Sequence, residues 1–194
     1  MVEKGFELDL AIAQYVRIRR ASCTIFIESA GVIKQAKVPF STHVLRVVWR
    51  NFIVFLHTLI IFVPVALMSG IEPHLTTLLA LPGLLFLYLN SIWVGLVLAM
   101  LGTRFRDVPL IVANLLQVAF FSTPIIWEAH TLGDHPLIAE LNPLYHLIEL
   151  VRAPLLGQQP EPVSWLVAAA VIAFGSIAAM VLFRRVSQRI VYWL

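Results

Sequence analysis

The chain has 194 residues, of which 60% are hydrophobic and 13% are charged, and its mean hydropathy is +0.88. Soluble domains carry about 25% charged residues, so this composition excludes an ordinary soluble domain. The net charge of +3 suits a membrane orientation signal better than nucleic-acid binding, and the single cysteine, Cys23, excludes an intrachain disulfide.

The amino-terminal part divides into two segments. Residues 1–21 are short, charged and lack the apolar core of a signal peptide, so we expect them on the cytoplasmic side. Residues 22–50 mix short apolar pieces with charged side chains, which are Glu28, Lys34, Lys37, Arg46 and Arg50. This pattern predicts an amphipathic cytoplasmic segment, lying on anionic lipid or docking a partner protein. Pro39 breaks it, and Ser41 is a candidate cap for a helix that continues into the first span.

Four later stretches are long and apolar enough to cross a hydrocarbon layer of about 30 Å as helices. They are residues 51–69, 75–101, 108–127 and 163–183. The predicted fold is therefore an all-α integral membrane protein, with residues 51–194 as its transmembrane domain. Pro82 and Gly83 predict a kink or an interfacial start for the second span.

The positive charges predict the orientation of these spans. All but one of the 14 Lys and Arg residues lie before the first span, between the second and third, or after the fourth; the exception is Arg152. The positive-inside rule therefore predicts that both termini are cytoplasmic. Arg104, Arg106 and Asp107 form the cytoplasmic turn between the second and third spans, where Asp107 suits the start of a helix.

Polar and small residues within the spans are candidates for packing or function. Ser91, Gly95, Ala99 and Thr103 recur every fourth residue, which predicts a close helix contact. The polar side chains within the spans that are candidates for function are His57, Thr58, Asn90, Ser91, Asn114 and Gln117. They either form hydrogen bonds between helices or line a polar pathway, and the sequence leaves both interpretations open.

A short helix is predicted on the outer side, between the third and fourth spans. Asn142 and Pro143 are a cap followed by a first-turn proline, and Gly157 is a stop signal. The helix at 143–156 is too short to span, so it is re-entrant or interfacial, as part of an outer helix pair. His146, Glu149 and Arg152 recur every third residue, which favours an ion-pair strip; His146 and Glu149 as an acid–base pair are the alternative.

Several motifs together resemble a known family. They are "FIESAGVIKQAKVPF", "HVLRVVWRN", "RFRDVP", "FFSTPIIW" and "NPLYHLIELVRAPLLG", followed by an apolar helix that ends in "FRR". From about Ser22 onwards, their order and spacing resemble the ABC-2 type permeases that export lipid-linked polysaccharides such as O-antigen, capsule and teichoic acid.

The resemblance implies a homodimeric channel in the bacterial inner membrane, paired with two cytoplasmic ATPase subunits. No G-x-x-x-x-G-K-[ST] loop occurs, so ATP and Mg²⁺ are expected on the partner, and no catalytic, cofactor or metal site is predicted in this chain. The implied ATPase-coupling residues are Glu28, Gly31, Lys34 and Lys37, and the 104–107 turn either anchors orientation or contacts the ATPase or the gate. The candidate pathway residues are Trp93, Asn114, Gln117, Phe120, Phe121 and Trp127. The implied outer re-entrant helix carries Asn142, Pro143, His146, Glu149 and Arg152.

The sequence differs from the family at its amino terminus. Family members carry an amphipathic helix and two further spans before the matching region, and residues 1–20 are unlike these. We expect that the chain lacks the family's amino-terminal part, through a truncated or miscalled reading frame or as a shortened variant. The alternatives are a lipid or drug permease, a non-functional remnant, and a membrane-embedded glycan or lipid enzyme that uses His57, His146 and Glu149.

Overall fold

The computed structural model describes residues 22–26, 28, 29, 31, 39–68, 75–122 and 142–193, with side chains at all of these except 61–68, 119–122 and 191–193. The helices are α1 (Phe40–Met68), a 3-10 helix (Leu75–Leu79), α2 (Ala80–Arg104), α3 (Val108–Ser122), α4 (Pro143–Leu155) and α5 (Pro162–Trp193). Residues 22–26 are also helical, and we call them the 22–26 segment. No strand occurs among the described residues, which confirms the all-α prediction.

Three helical stretches are long and apolar enough to cross a membrane: Phe40–Ile60, Leu75–Arg104 and Pro162–Ile190. The predicted third span begins at Val108 as α3, whose 15 described residues are apolar but shorter than a span, and residues 123–127 lie outside the described part. α1 starts at Phe40, next to the predicted cap Ser41, and includes the eleven residues before the predicted span boundary at Asn51, since no helix breaker lies between Pro39 and Asn51. α5 runs past the predicted end at 183 to Trp193.

Helix α2 lies at the centre and contacts α1, α3, α4 and α5. Its irregular start is the 3-10 helix, and Pro82 fits the first turn of α2, where no intrahelical bond from its nitrogen is required. Near that end, a Cβ added to Gly83 would meet the backbone carbonyl of Leu150 in α4. The absence of a side chain at Gly83 therefore allows α4 to rest directly on α2.

The small residues of α2 form a packing face, which confirms that prediction. A Cβ added to Gly95 would lie 3.0 Å from the Ser22 hydroxyl and 3.2 Å from Val44 of α1. A Cβ added to Gly102 would meet the backbone carbonyl of Cys23. The close partner of this face is therefore the 22–26 segment together with α1.

Polar side chains in α1 and α2 bond mainly within their own helix. The hydroxyl groups of Thr58, Ser91 and Thr103 donate to the carbonyl four residues earlier, at 2.9, 2.8 and 2.7 Å. His57 Nδ1 is 2.8 Å from the carbonyl oxygen of Ile53. These side chains therefore bond along their own helix and not between helices, which was one of the two interpretations left open, and such bonds satisfy a polar group without a neighbouring helix.

The capping signals around α4 are confirmed. The Asn142 side chain accepts a hydrogen bond from the backbone N–H of Leu144 at 3.0 Å, and Pro143 occupies the first turn. After Leu155, Gly157 adopts a φ of 75°, a left-handed conformation that glycine adopts readily. The Thr76 hydroxyl donates to the Gly157 carbonyl at 3.2 Å, so the end of α4 is tied to the 3-10 helix.

Candidate functional site

The predicted coupling region begins in the 22–26 segment. Cys23, Ile25 and Phe26 are buried in the bundle, whereas Glu28 is exposed and accepts a 2.7 Å hydrogen bond from the Thr24 hydroxyl. A Cβ added to Gly31 would meet nothing within 4 Å. The segment is therefore amphipathic, with its apolar side docked and Glu28 free to face another molecule. Lys34 and Lys37 lie outside the described residues.

The 104–107 turn is short, and all four of its residues are exposed. The Arg104 guanidinium lies 5.3 Å from the centre of the Phe105 ring, a cation–π contact. The Asp107 carbonyl accepts hydrogen bonds from the backbone N–H groups of Leu110 and Ile111, both at 3.1 Å. Asp107 thus begins α3 as predicted, where a carboxylate complements the helix dipole. Two arginines and one aspartate are presented outward at this end of the bundle.

The candidate pathway residues fall into three groups. Asn114 and Gln117 are exposed on α3, on the side opposite the buried Val112 and Leu116. Trp93 is half-buried: its indole N–H donates to Asn90 Oδ1 at 2.9 Å, and its ring lies where a Cβ on Gly175 of α5 would be. The structure therefore brings Asn114 and Gln117 together and places Trp93 separately, between α2 and α5. The side chains of Phe120 and Phe121, and all of Trp127, lie outside the described part.

The polar residues of α4 do not form a single strip. His146 is 3% exposed, and its Nδ1 is 2.9 Å from the hydroxyl of Ser164, which is 1% exposed. The sequence missed Ser164, because it lies 18 residues away in α5 and no local pattern links the two. A hydroxyl beside an imidazole resembles a nucleophile and its base. Burial of both groups closes them to a substrate, so the contact fixes α4 on α5.

Glu149 and Arg152 form the ion pair that the spacing predicts. The distance from Arg152 Nη1 to Glu149 Oε2 is 3.6 Å, and the two side chains are 22% and 19% exposed. Burial raises the pKa of Glu149 above its ordinary value; Arg152 and His146 oppose this rise and Glu161 adds to it. The pair therefore holds a partly desolvated carboxylate in α4, near the end of the bundle opposite the 104–107 turn.

Comparison with known families decides the class of protein. A family model described as ABC-2 type transporter matches residues 24–156, about two thirds of the chain. The chain belongs to the ABC-2 type transporter family. No curated protein matches it.

As an ABC-2 type transporter chain, the molecule is a membrane component of a transporter. The match starts within the 22–26 segment and ends just after α4, so it includes Glu28, the 104–107 turn, α3 and the His146 contact. α5 lies beyond the match, yet it packs on α2 and buries the His146 imidazole. The family assignment and the burial of His146 together oppose the enzyme interpretation.

Proposed function

We propose that this chain is the membrane-spanning subunit of an ATP-driven exporter that moves lipid-linked polysaccharide across the bacterial inner membrane. The match to the ABC-2 type transporter family over residues 24–156 carries the proposal, since it covers every region assigned a role below. Two copies would form the channel and two ATPase subunits would drive it. The ordered motifs of the sequence favour a polysaccharide cargo over a drug or a membrane lipid.

The free face of α3 supports a pathway for a polar polymer. Asn114 and Gln117 are exposed on a helix whose other exposed residues are apolar, including Leu110, Leu115 and Val118. Amide groups at membrane depth require a polar neighbour, because lipid chains offer no hydrogen bonds. A glycan supplies hydroxyl groups along its whole length, so two amides on one face suit a sliding cargo, while the apolar residues suit a second copy of the chain.

Glu28 and the 104–107 turn lie at the end of the bundle that carries the positive charges of the described helices. Glu28 is exposed beside the docked 22–26 segment, and Arg104, Arg106 and Asp107 are exposed in the turn that follows α2. The packing of Gly102 on Cys23 joins these two regions. A displacement of the 22–26 segment by a bound ATPase would therefore be transmitted directly to α2. By the positive-inside rule this end faces the cytoplasm, as do both termini.

Helix α4 is the proposed outer re-entrant element. This 13-residue helix is capped by Asn142 and is held against α2 and α5 by two contacts. They are the His146–Ser164 contact with α5 and the close approach of Leu150 to Gly83 of α2. Such a helix shields the outer end of a pathway without crossing the membrane. We place the exit for the cargo beside α4.

Affinity purification of the tagged chain from its host membranes tests the ATPase partnership. We expect co-purification of a subunit that carries a G-x-x-x-x-G-K-[ST] loop, together with ATP hydrolysis. Alanine at Glu28, Lys34 and Lys37 should reduce both, whereas Glu161→Ala, an exposed carboxylate at the other end of the bundle, should not. Recovery of no such subunit, or equal recovery with the triple variant, would contradict the proposed coupling.

A further inference from the structure

Two exposed arginines lie within Phe40–Ile60, the first helical stretch that is long and apolar enough to cross a membrane. Arg46 and Arg50 are four residues apart in α1, so their side chains leave the same face about one turn apart. Trp49, between them in sequence, is 53% exposed. Neither guanidinium forms an ion pair within the described part of the chain. The sequence analysis placed both arginines in the helix that leads into the first span at 51–69, whereas the stretch Phe40–Ile60, which is long and apolar enough to cross a membrane, includes them.

The contacts of α1 with α2 give the depth of this pair. The rings of Trp49 and Phe52 pack on the ring of Tyr88, with centres 6.0 and 4.9 Å apart. Tyr88 lies eight residues after Ala80 and sixteen before Arg104, which is about 12 Å from the start of α2 and about 24 Å from its end. Arg50 is next to Trp49 in the chain, so it lies at about the same level along α2 as Tyr88. An extended Arg side chain of bonds near 1.5 Å is only about 7 Å long, so Arg50 does not reach the level of Arg104.

The long helices hold no negative charge at this depth. α1, α2, α3 and α5 contain no Asp or Glu, and the chain has no acidic residue between Glu28 and Glu72. The same helices of a second copy therefore cannot neutralise Arg46 and Arg50. An unpaired charge inside a bilayer is costly, and such residues typically pair or line an aqueous cavity. An anion from another molecule can supply the counter-charge that the described helices lack.

We propose that Arg46 and Arg50 bind a phosphate-type anion inside the membrane, with the Trp49 indole alongside it. Two guanidinium groups one turn apart offer paired N–H donors to the several oxygens of a phosphate. The indole presents an apolar ring face with a polar edge, which suits a sugar or an isoprenoid attached to that phosphate. That this phosphate belongs to the exported cargo rests on the proposed function. The phosphate headgroup of a membrane lipid offers the same chemistry from a second source.

A reporter thiol beside the arginines tests the site in the full chain. Cys23→Ala removes the native thiol, and Val54→Cys places a new one on the exposed face four residues after Arg50. Phe174→Cys, exposed on α5 with no arginine nearby, is the matched control. In phosphatidylcholine vesicles, each thiol is reacted with an anionic and a cationic methanethiosulfonate reagent. The ratio of the two rates is independent of the thiolate fraction, because both reagents attack the same thiolate.

We expect the anionic-to-cationic rate ratio at position 54 to exceed that at position 174 by about tenfold or more, as for a site that concentrates anions. Arg46→Gln with Arg50→Gln should abolish the excess. Glucose 1-phosphate and phosphatidylglycerol are then added separately as competitors, with both arginines intact. Slowing of the anionic reagent at position 54 by glucose 1-phosphate identifies a cargo-type phosphate, and slowing by phosphatidylglycerol identifies a lipid headgroup.

Equal ratios at positions 54 and 174, or slowing by neither competitor, would overturn the proposed site. The vesicles contain no ATPase and measure no export, so that result would leave the proposed transport function standing. Conversely, an intact anion site in a protein whose removal leaves cell-surface polysaccharide unchanged would refute the transport function alone. The two proposals therefore fail separately.

Discussion

Replacing Gly102 with alanine should separate the 22–26 segment from α2. The added Cβ would meet the backbone carbonyl carbon and oxygen of Cys23, and a backbone group cannot rotate away as a side chain does. Gly95→Ala is the matched control in the same helix. Its Cβ would meet only side-chain ends, the Ser22 hydroxyl at 3.0 Å and a Val44 methyl at 3.2 Å, which can move by a few tenths of an ångström.

The difference in stability between Gly102→Ala and Gly95→Ala isolates the steric cost of the added methyl group. Both variants gain about 1 kcal/mol of helix propensity from Gly to Ala, so this gain cancels between them. Overpacking a close contact costs typically about 1–3 kcal/mol, and Gly102→Ala should be less stable than Gly95→Ala by that amount. Since about 1.4 kcal/mol is a factor of ten, the unfolding equilibrium should differ by roughly five- to 150-fold.

Two measurements on the full chain in detergent micelles check this prediction. The first is unfolding by sodium dodecyl sulfate, followed by helical circular dichroism. The second is the rate at which maleimide labels Cys23, which is completely buried and should become reactive only when the segment is displaced. If Gly102→Ala matches Gly95→Ala within about 0.5 kcal/mol, the scatter expected of independent sites, and Cys23 stays unreactive, the packing account is wrong.

Three other sites are tested by substitution in the same unfolding assay. Gly175→Ala should destabilise the protein by about 1–3 kcal/mol by displacing the Trp93 indole, and Trp93→Phe should recover part of this loss; additive losses would contradict the contact. Ser164→Ala removes the 2.9 Å contact with buried His146 and should lower the free energy of unfolding by about 1–3 kcal/mol. Ser176→Ala, at an exposed serine of the same helix, should leave stability unchanged. Equal effects of the two substitutions would refute the role of the His146 contact. Burial raises the pKa of Glu149 in the folded state, so Glu149 contributes most to the free energy of unfolding below its ordinary pKa of 4.5, and this contribution is lost as pH rises through the raised pKa. Glu149→Gln should therefore reduce the fall in stability across a pH series, and an unchanged slope would contradict this prediction.

The positions of the helices followed from sequence where one local signal dominates. Apolar stretches predicted the three long helices, and Asn142 with Pro143 predicted the start of α4, because capping depends on adjacent residues. The first span was predicted to start at Asn51 and not near Phe40, because Arg46 and Arg50 interrupt the apolar stretch, although arginine is compatible with a helix.

Contacts between distant parts of the chain were not predictable in the same way. The ladder at Gly95 indicated a close helix contact, but which element fills it depends on the position of the 22–26 segment in three dimensions. Ser164 is an ordinary serine in sequence and becomes the partner of His146 only when α4 lies on α5. The depth of Arg50 likewise follows from the contact between Trp49 and Tyr88, and no periodicity reports it.

The central claim, export of a lipid-linked polysaccharide, is tested most directly by the distribution of that glycan in host cells without the gene. The account predicts that polysaccharide disappears from the cell surface, that its lipid-linked form accumulates on the cytoplasmic side of the inner membrane, and that the wild-type gene reverses both changes. A normal amount of surface polysaccharide in the deletion strain, with no internal accumulation, would contradict the account.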